Sequence, residues 1–436
     1  MSGIPVVVRW ATLEINYPGS NPPAWAGLPV SIAPSGDYLT PDTYPPAQWI
    51  NWKWNQQDTN IQNAYDMAVA AAVSNWQAPI AFTAFTGITD PGGFQGFVYD
   101  TVYNRWLACL LSSGSSTNHV SIAQSLDGGR SWQGVYTSST SSAISAPLCI
   151  ATANNAGNCV IVIIAAGSST ATAHTIQAPP GGGPTDVTTT LSGPASLACA
   201  WFYYDTPTTG NFFTYYIHQT SGTFAGYLQG ADISGATWNP ASTVPGNFTT
   251  GTNHIGNLLV ATNPSNHTQA AVVAICGATA GTDTAYLMSL NSAGNVATDI
   301  TPAFLTGQIV SGLAYGSNDG LWGVLCTNGV AGTSSLYTSP DLVTWTEVWT
   351  TANYSGAAGL QVIGNVWIFT LYTGAQTQLW MSAHVGSLGA SADWHIASGY
   401  NIFVSSDGEG GLFSNGNQLL AASDSSCAVS LQVGFI

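Results

Sequence analysis

One layout recurs along this chain and limits its fold more than any other feature. Phe97-Val-Tyr-Asp-Thr-Val-Tyr-Asn-Arg-Trp-Leu-Ala-Cys109 gives strand, polar turn, tryptophan, strand and cysteine, and Leu313-Ala-Tyr-Gly-Ser-Asn-Asp-Gly-Leu-Trp-Gly-Val-Leu-Cys326 gives the same order. Gly359-Leu-Gln-Val-Ile-Gly-Asn-Val-Trp-Ile-Phe369 keeps it without the cysteine. Cys109 and Cys159, Cys149 and Cys199, and Cys276 and Cys326 are each 50 residues apart, while Cys326 and Cys427 are 101 apart. From Pro79 onward, short alternating runs are separated by Gly, Asn, Ser and Thr turns, the mark of strands. A unit of about 50 residues holds one small sheet, which cannot bury both faces alone, so the units must stack around an axis. The expectation is a mainly β chain forming a β-propeller. Seven units begin near residues 94, 145, 194, 246, 305, 353 and 401, and a period wandering between about 40 and 60 also admits six or eight blades. The last unit, 401–436, is one strand short. Residues 80–88 form a strand with no unit of their own, so they are expected to complete the last blade and fasten the ring.

Inside the first unit, Ser125-Leu-Asp-Gly-Gly-Arg-Ser-Trp132 is a turn with its own chemistry. Ser125 and Asp127 can accept hydrogen bonds from backbone N–H groups, Gly129 can take positive φ, and Trp132 can open the next strand over a small local core. Ser339-Pro-Asp-Leu-Val-Thr-Trp345 is a second copy, one residue shorter and without the glycine, carrying Ser339, Asp341 and Trp345. Gly235-Ala-Thr-Trp238, Ser289-Leu-Asn-Ser-Ala-Gly294 and Asp393-Trp394 are fragments of the same pattern. The motif resembles the Asp-box, typical of the β-propellers of sialidases and related repeat proteins, where it joins the outer two strands of a blade. That resemblance implies a propeller with these turns on its rim. It does not bring sialidase activity: the family holds its substrate with three pocket arginines, and here the only arginines are Arg9, Arg105 and Arg130.

Composition narrows the partners. Charged residues are 6% of the chain and the net charge is −16, with Arg9, Lys53, Arg105 and Arg130 the only basic residues besides histidine. Phosphate neutralisation needs clustered Lys and Arg, so nucleic acid is not an expected partner, nor is an anionic membrane surface. The longest apolar run, 159–166, is too short to span a bilayer, and the first residues show neither the basic nor the apolar part of a secretory signal. With 16 Trp, 18 Tyr and 14 Phe the chain has the material for a large packed interior. Its seven cysteines lack paired metal or redox spacing and read as buried thiols of a reducing compartment.

Residues 1–78 differ from the rest. Residues 1–47 are rich in Pro and aromatic residues, an extended arm. Trp49, Trp52 and Trp54 follow, then a helical stripe of Ile61, Tyr65, Ala68, Val69, Ala72, Val73 and Trp76, capped near Asp58 or Thr59 and ended by Pro79. This is the one expected α-helix, suited to pack on the chain or on copies of itself. The domains are thus 1–78, arm and helix, and 79–436, propeller. An N-terminal anchor followed by a neutral, Ser/Thr/Gly-rich β domain resembles bacteriophage virion appendages such as fibres and receptor-binding proteins. The resemblance implies a non-enzymatic homo-oligomer located on the virion. It docks on other virion proteins through residues 1–78 and binds host surface glycan. The alternatives are a carbohydrate-cleaving propeller enzyme or a ligand-free structural subunit.

A direct search for chemistry supplies no catalytic set, cofactor motif or metal site. His119, His174, His218, His254, His267, His384 and His395 show no ligand spacing. Glycoside hydrolysis needs two facing carboxyl groups. Glutamate occurs only at Glu14, Glu347 and Glu409, and Asp90, Asp100, Asp205, Asp319, Asp407 and Asp424 could reach a central face without their spacing pairing them. Asp407-Gly-Glu409 is the densest acidic spot outside the N-terminal segment and reads as a solvated turn. Trp201-Phe-Tyr-Tyr204 and Phe212-Phe-Thr-Tyr-Tyr216 form an aromatic hairpin. Which aromatic ring would touch a glycan is not identified by the sequence.

Overall fold

The computed structural model describes residues 76–89, 91–112, 119–138, 144–145, 150–152, 157–165, 170–194, 196–204, 211–220, 223–231, 242–244, 254–263, 266, 269–277, 284–291, 296–328, 332–352, 356–364, 366–372, 377–382, 394–396, 411–423 and 425–430. The chain divides into two compact units, Met1–Ala68 and Val69–Ile436, and all described residues belong to the second. The Pro-rich arm, Trp49, Trp52, Trp54 and the helical positions Ile61, Tyr65 and Val69 lie outside the described residues. Trp76 does not. It forms an antiparallel β-bridge with Ser430, so it is a strand-like residue rather than the last turn of the expected helix.

The described elements are strands and two 3-10 turns. In chain order the strands are β1 (Ile80–Ala81), β2 (Pro91–Asp100), β3 (Arg105–Ser112), β4 (His119–Ser125), β5 (Gln133–Thr137), β6 (Ile144–Ser145), β7 (Ile150–Thr152), β8 (Asn158–Ala165), β9 (Thr170–Gln177) and β10 (Thr185–Pro194). They continue with β11 (Ser196–Tyr204), β12 (Asn211–Thr220), β13 (Thr223–Ala231), β14 (Ser242–Val244), β15 (His254–Thr262), β16 (Gln269–Gly277), β17 (Thr284–Asn291), β18 (Val296–Asp299), β19 (Ile309–Gly316) and β20 (Leu321–Asn328). The last are β21 (Thr333–Ser339), β22 (Thr346–Ala352), β23 (Gly356–Ile363), β24 (Val366–Tyr372), β25 (Thr377–Ser382), β26 (His395–Ile396), β27 (Gly411–Ser414), β28 (Leu419–Ser423) and β29 (Ser426–Val429).

These strands make antiparallel meanders in a β-propeller arrangement. Six sheets have four strands: β2 to β5, β11 to β14, β15 to β18, β19 to β22, β23 to β26, and β27 to β29 with β1. A further sheet has five, because β6 and β7 both pair with β8, which continues to β9 and β10. The leading strands β2, β7, β11, β15, β19, β23 and β27 touch one another in that order, and β27 touches β2 again. The aromatic hairpin is the β11–β12 pair, with Phe202 opposite Phe213 and Tyr203 opposite Phe212.

The ring is fastened as the short last unit implies. β1 pairs with β29, placing Ile80 opposite Cys427, and the Gln77 N–H donates to the Val429 carbonyl at 2.9 Å. The fastening strand is shorter than expected. It gives way at once to a 3-10 turn, Phe82–Ala84, which lets Phe82 and Phe85 enter the core instead of alternating across a sheet.

Packing explains the repeated layout. In β3, Trp106, Ala108 and Leu110 face a core shared with Leu420 and Val429 of the last sheet. Leu107 and Cys109, on the other face, meet Cys159, Ile161 and Ile176 of the next sheet. A strand covered on both faces needs apolar residues throughout, which is why these second strands read as unbroken apolar runs. Trp106, Trp322 and Trp367 each occupy the second residue of such a strand, and all three are buried. Cys109, Cys159, Cys326 and Cys427 are buried free thiols, and burial pushes Cys159, Cys326 and Cys427 up to about 12.

Candidate functional site

The Ser125–Trp132 turn joins β4 to β5, the outer two strands of its sheet. Asp127 Oδ1 accepts the backbone N–H groups of Arg130 and Ser131, both at 2.9 Å, and the Ser125 hydroxyl at 2.8 Å, while the Ser131 hydroxyl donates to Oδ2 at 2.6 Å. Ser125 Oγ in turn accepts the Gly129 N–H at 2.8 Å, with Gly129 at φ +89°. Desolvation raises the Asp127 carboxyl, but the four hydrogen bonds outweigh it and hold the group below its ordinary value. Trp132 is buried and stacks on Phe85 with ring centroids 4.9 Å apart.

The shorter copy joins β21 to β22 in the same position. Asp341 Oδ1 accepts the Thr344 N–H at 2.7 Å and the Val343 N–H at 2.9 Å, and these bonds hold the exposed carboxyl down at about 2. Leu342 takes φ +65° where the longer copy has its glycines, and Trp345 Nε1 donates to the Leu342 carbonyl at 3.1 Å. Trp394 stands immediately before β26, as Trp132 stands before β5 and Trp345 before β22, and it packs against Trp349 and Phe369. The tryptophan position therefore persists where the turn's Ser and Asp do not. All these residues hold turns and cores; Trp132 reaches inward to Phe97 of the leading strand β2, ring centroids 5.7 Å apart.

Of the sequence-predicted aspartates, Asp100 and Asp319 are described, and they stand in different sheets. Asp100 is fully buried at the far end of β2, where Oδ2 accepts Arg105 Nε at 3.0 Å and Oδ1 accepts the Val102 N–H at 3.0 Å. Arg105 Nη1 also donates to Gln124 and to the Ala178 carbonyl of the neighbouring sheet, and the guanidinium lies over the Tyr103 ring. This buried, hydrogen-bonded pair is an inter-sheet brace. Asp319 accepts Trp367 Nε1 at 2.9 Å, another brace between sheets. Asp90, Asp205, Asp407, Glu409 and Asp424 lie outside the described residues. Among the described residues, no group of three or more His, Cys, Asp or Glu could hold a metal ion.

β2 and β27 come together where the ring closes. The two strands are neighbours and run in the same direction: Gly411 lies against Phe94, while Phe413 packs against Phe94 at 6.1 Å and Phe97 at 5.3 Å. Gly411 has no room for a side chain, since a Cβ there would sit 3.2 Å from the Phe94 ring and closer still to Phe413. Gly93, near the start of β2, faces open space. Asp90 directly precedes β2, and Glu409 stands two residues before β27, with Asp407 two residues earlier. Sequence spacing alone could not reveal this, because β2 and β27 stand near opposite ends of the propeller sequence and become neighbours only through the closure of the ring.

No family model matches the chain, and no curated protein matches it by sequence. Solved structures do match. A GH74 xyloglucanase from Xanthomonas campestris is 13% identical with a TM-score of 0.53, over 81% of this chain and 54% of that one. An α-L-arabinanase of Penicillium chrysogenum, solved with arabinobiose, is 14% identical with a TM-score of 0.42, covering 70% and 98%. Sqt1 of Chaetomium thermophilum, bound to the N-terminus of ribosomal protein L10, is 10% identical with a TM-score of 0.46, covering 80% and 98%. What is shared is the β-propeller fold.

These matches correct two expectations. The virion fibre or receptor-binding reading finds nothing in support, and the propeller with the TM-score of 0.53 is a carbohydrate-cleaving enzyme. The expectation of no enzymatic activity falls with it. That expectation leaned on the missing arginine triad, which excludes only the chemistry that needs one. Arg105 is indeed locked in its brace and Arg130 sits in the Ser125–Trp132 turn, but hydrolysis by two carboxyl groups requires no arginine.

Proposed function

We propose that this propeller is a glycoside hydrolase whose acid pair is Asp90 with Glu409, Asp407 being the second candidate on the same segment. One observation carries the proposal: β2 and β27 lie side by side and run the same way, and each is led by carboxylates in a chain that has only three glutamates. The reaction needs two carboxyl groups about 5–10 Å apart across the scissile bond, one giving a proton to the leaving oxygen, the other attacking or activating water. Neighbouring strands of a ring suit that span. The propeller likeness to a xyloglucanase supports polysaccharide as the substrate class, with the fold as its only warrant. The closed succession of leading strands supports seven blades, and the carboxylate-centred turns at Asp127 and Asp341 support the Asp-box reading of the repeat.

The test is a reducing-sugar assay on a polysaccharide panel that includes xyloglucan and arabinan. The unaltered chain should release new reducing ends, and Asp90→Asn or Glu409→Gln should lower the rate by about 10²-fold or more, the scale of general acid–base catalysis. Full activity in both variants, or no release from any polysaccharide, overturns the proposal.

A further inference from the structure

The second sheet leaves its outer edge open where the others guard theirs. Each described sheet ends on an outer strand, namely β1, β5, β10, β14, β18, β22 or β26. Such edges invite pairing with another chain, and proteins blunt them with short strands, bulges or charge. Here β1 and β26 have two residues, β14 three and β18 four. The five-residue β5 and the seven-residue β22 each pair through a register shift, and β22 carries the exposed Glu347. β10 has none of these guards over most of its length. It is ten residues long, and every residue from Thr185 to Thr190 pairs in step with β9 before the register shifts ahead of Pro194.

The side chains along that stretch suit a further strand. Thr185, Asp186, Val187, Thr188 and Thr190 are exposed, Val187 at 43%, and threonine and valine both favour strands. The one charge is held against the protein: Asp186 Oδ2 accepts the Tyr136 hydroxyl of the first sheet at 2.6 Å and lies 3.0 Å from His174 Nδ1 of β9. Among the described residues only β9 pairs with β10, so the other row of backbone N–H and C=O groups has no strand beside it. The stretch is also complementary to itself. A two-fold axis between Val187 and Thr188 sets Val187 opposite Thr188, Asp186 opposite Thr189 and Thr185 opposite Thr190. β-branched residues then face one another across the pair. The two Asp186 residues stand about 10 Å apart along the strands, about one Debye length at ~0.1 M salt. The chain's own residues 1–47 suit this edge less, because their many prolines lack the N–H that a ladder needs.

We propose that two copies of this chain pair through β10, edge to edge and antiparallel about a two-fold axis, so that one sheet continues into the other. The same patch serves both copies, so the contact closes on itself and adds one copy only. It is independent of the Asp90–Glu409 reading. The full chain is followed over a concentration series by sedimentation velocity and by hydrogen exchange of the peptide covering 185–190. Sedimentation should show a step that doubles the mass, and exchange at 185–190 should slow about tenfold or more across that step. Val187→Glu puts two like charges beside the axis on an exposed position and should weaken the step about tenfold or more. Val343→Glu adds the same charge at a residue 73% exposed on another sheet and should leave the step unchanged. No such step, exchange at 185–190 that does not depend on concentration, a step retained in Val187→Glu, or one lost equally in Val343→Glu overturns the proposal.

Discussion

At the scale of single residues, the two aspartate turns show how a charged side chain can be structural. Asp341 is exposed, yet two short backbone N–H bonds hold its carboxyl at about 2. A carboxyl depressed in the folded state stabilises it above the unfolded pKa, and that contribution disappears as pH falls through the folded value. The window here runs from about 4 down to about 2. Asp341→Asn imitates the protonated acid in shape. Melting temperatures of the two proteins should therefore differ at neutral pH and converge as pH falls across that window. A gap that persists at pH 2 would mean the charge is not what holds the turn. Asp127 and Asp341 were legible because their bonds are local, within four residues of sequence. Asp100 was not, since nothing in a Tyr-Asp-Thr turn announces that Arg105, five residues on, will be buried with it and tied to Ala178.

Among elements, the Ser125–Trp132 turn does more than reverse the chain. The Thr86 N–H donates to the Trp132 carbonyl at 3.1 Å, Gly134 N–H donates back to Thr86 at 2.7 Å, and Gln77 Nε2 reaches the Gly128 carbonyl at 3.3 Å. The turn thus receives the same segment that pairs with β29. Gly129 sits where a Cβ would fall 2.2 Å from Val429 Cγ2, at a φ that disfavours any side chain. Gly129→Ala should destabilise by about 2–4 kcal/mol, combining overpacking and left-handed strain. Adding Val429→Ala should recover the overpacking share alone, giving a coupling above 0.5 kcal/mol in a double-mutant cycle by denaturant melts. Additive effects would show that the turn and the last sheet are not in register. The glycine's conformational role was readable from the motif. Its contact with Val429 was not, because the partner lies 300 residues away.

For the propeller unit as a whole, the repeat was readable because each sheet imposes the same burial on its second strand, so Trp106, Trp322 and Trp367 recur. The exact limits of the closing segment were not readable, since helical and extended patterns overlap around Trp76. Its bridge to Ser430 and the Gln77 bonds move the start of the ring ahead of residue 79. That segment supplies the outer strand of the last sheet, and losing it would leave β29 unpaired on that side and Trp132 without Phe85. The chain shortened to begin at Val69 should therefore melt cooperatively, at the temperature of the propeller in the full protein. One beginning at Asp90 should lose that transition or pair with a second copy through the open edge, which calorimetry and sedimentation would separate. If the shorter chain melts like the longer one, the ring is held by its sheet-to-sheet cores alone, and residues 76–88 are an accessory to a closure made elsewhere.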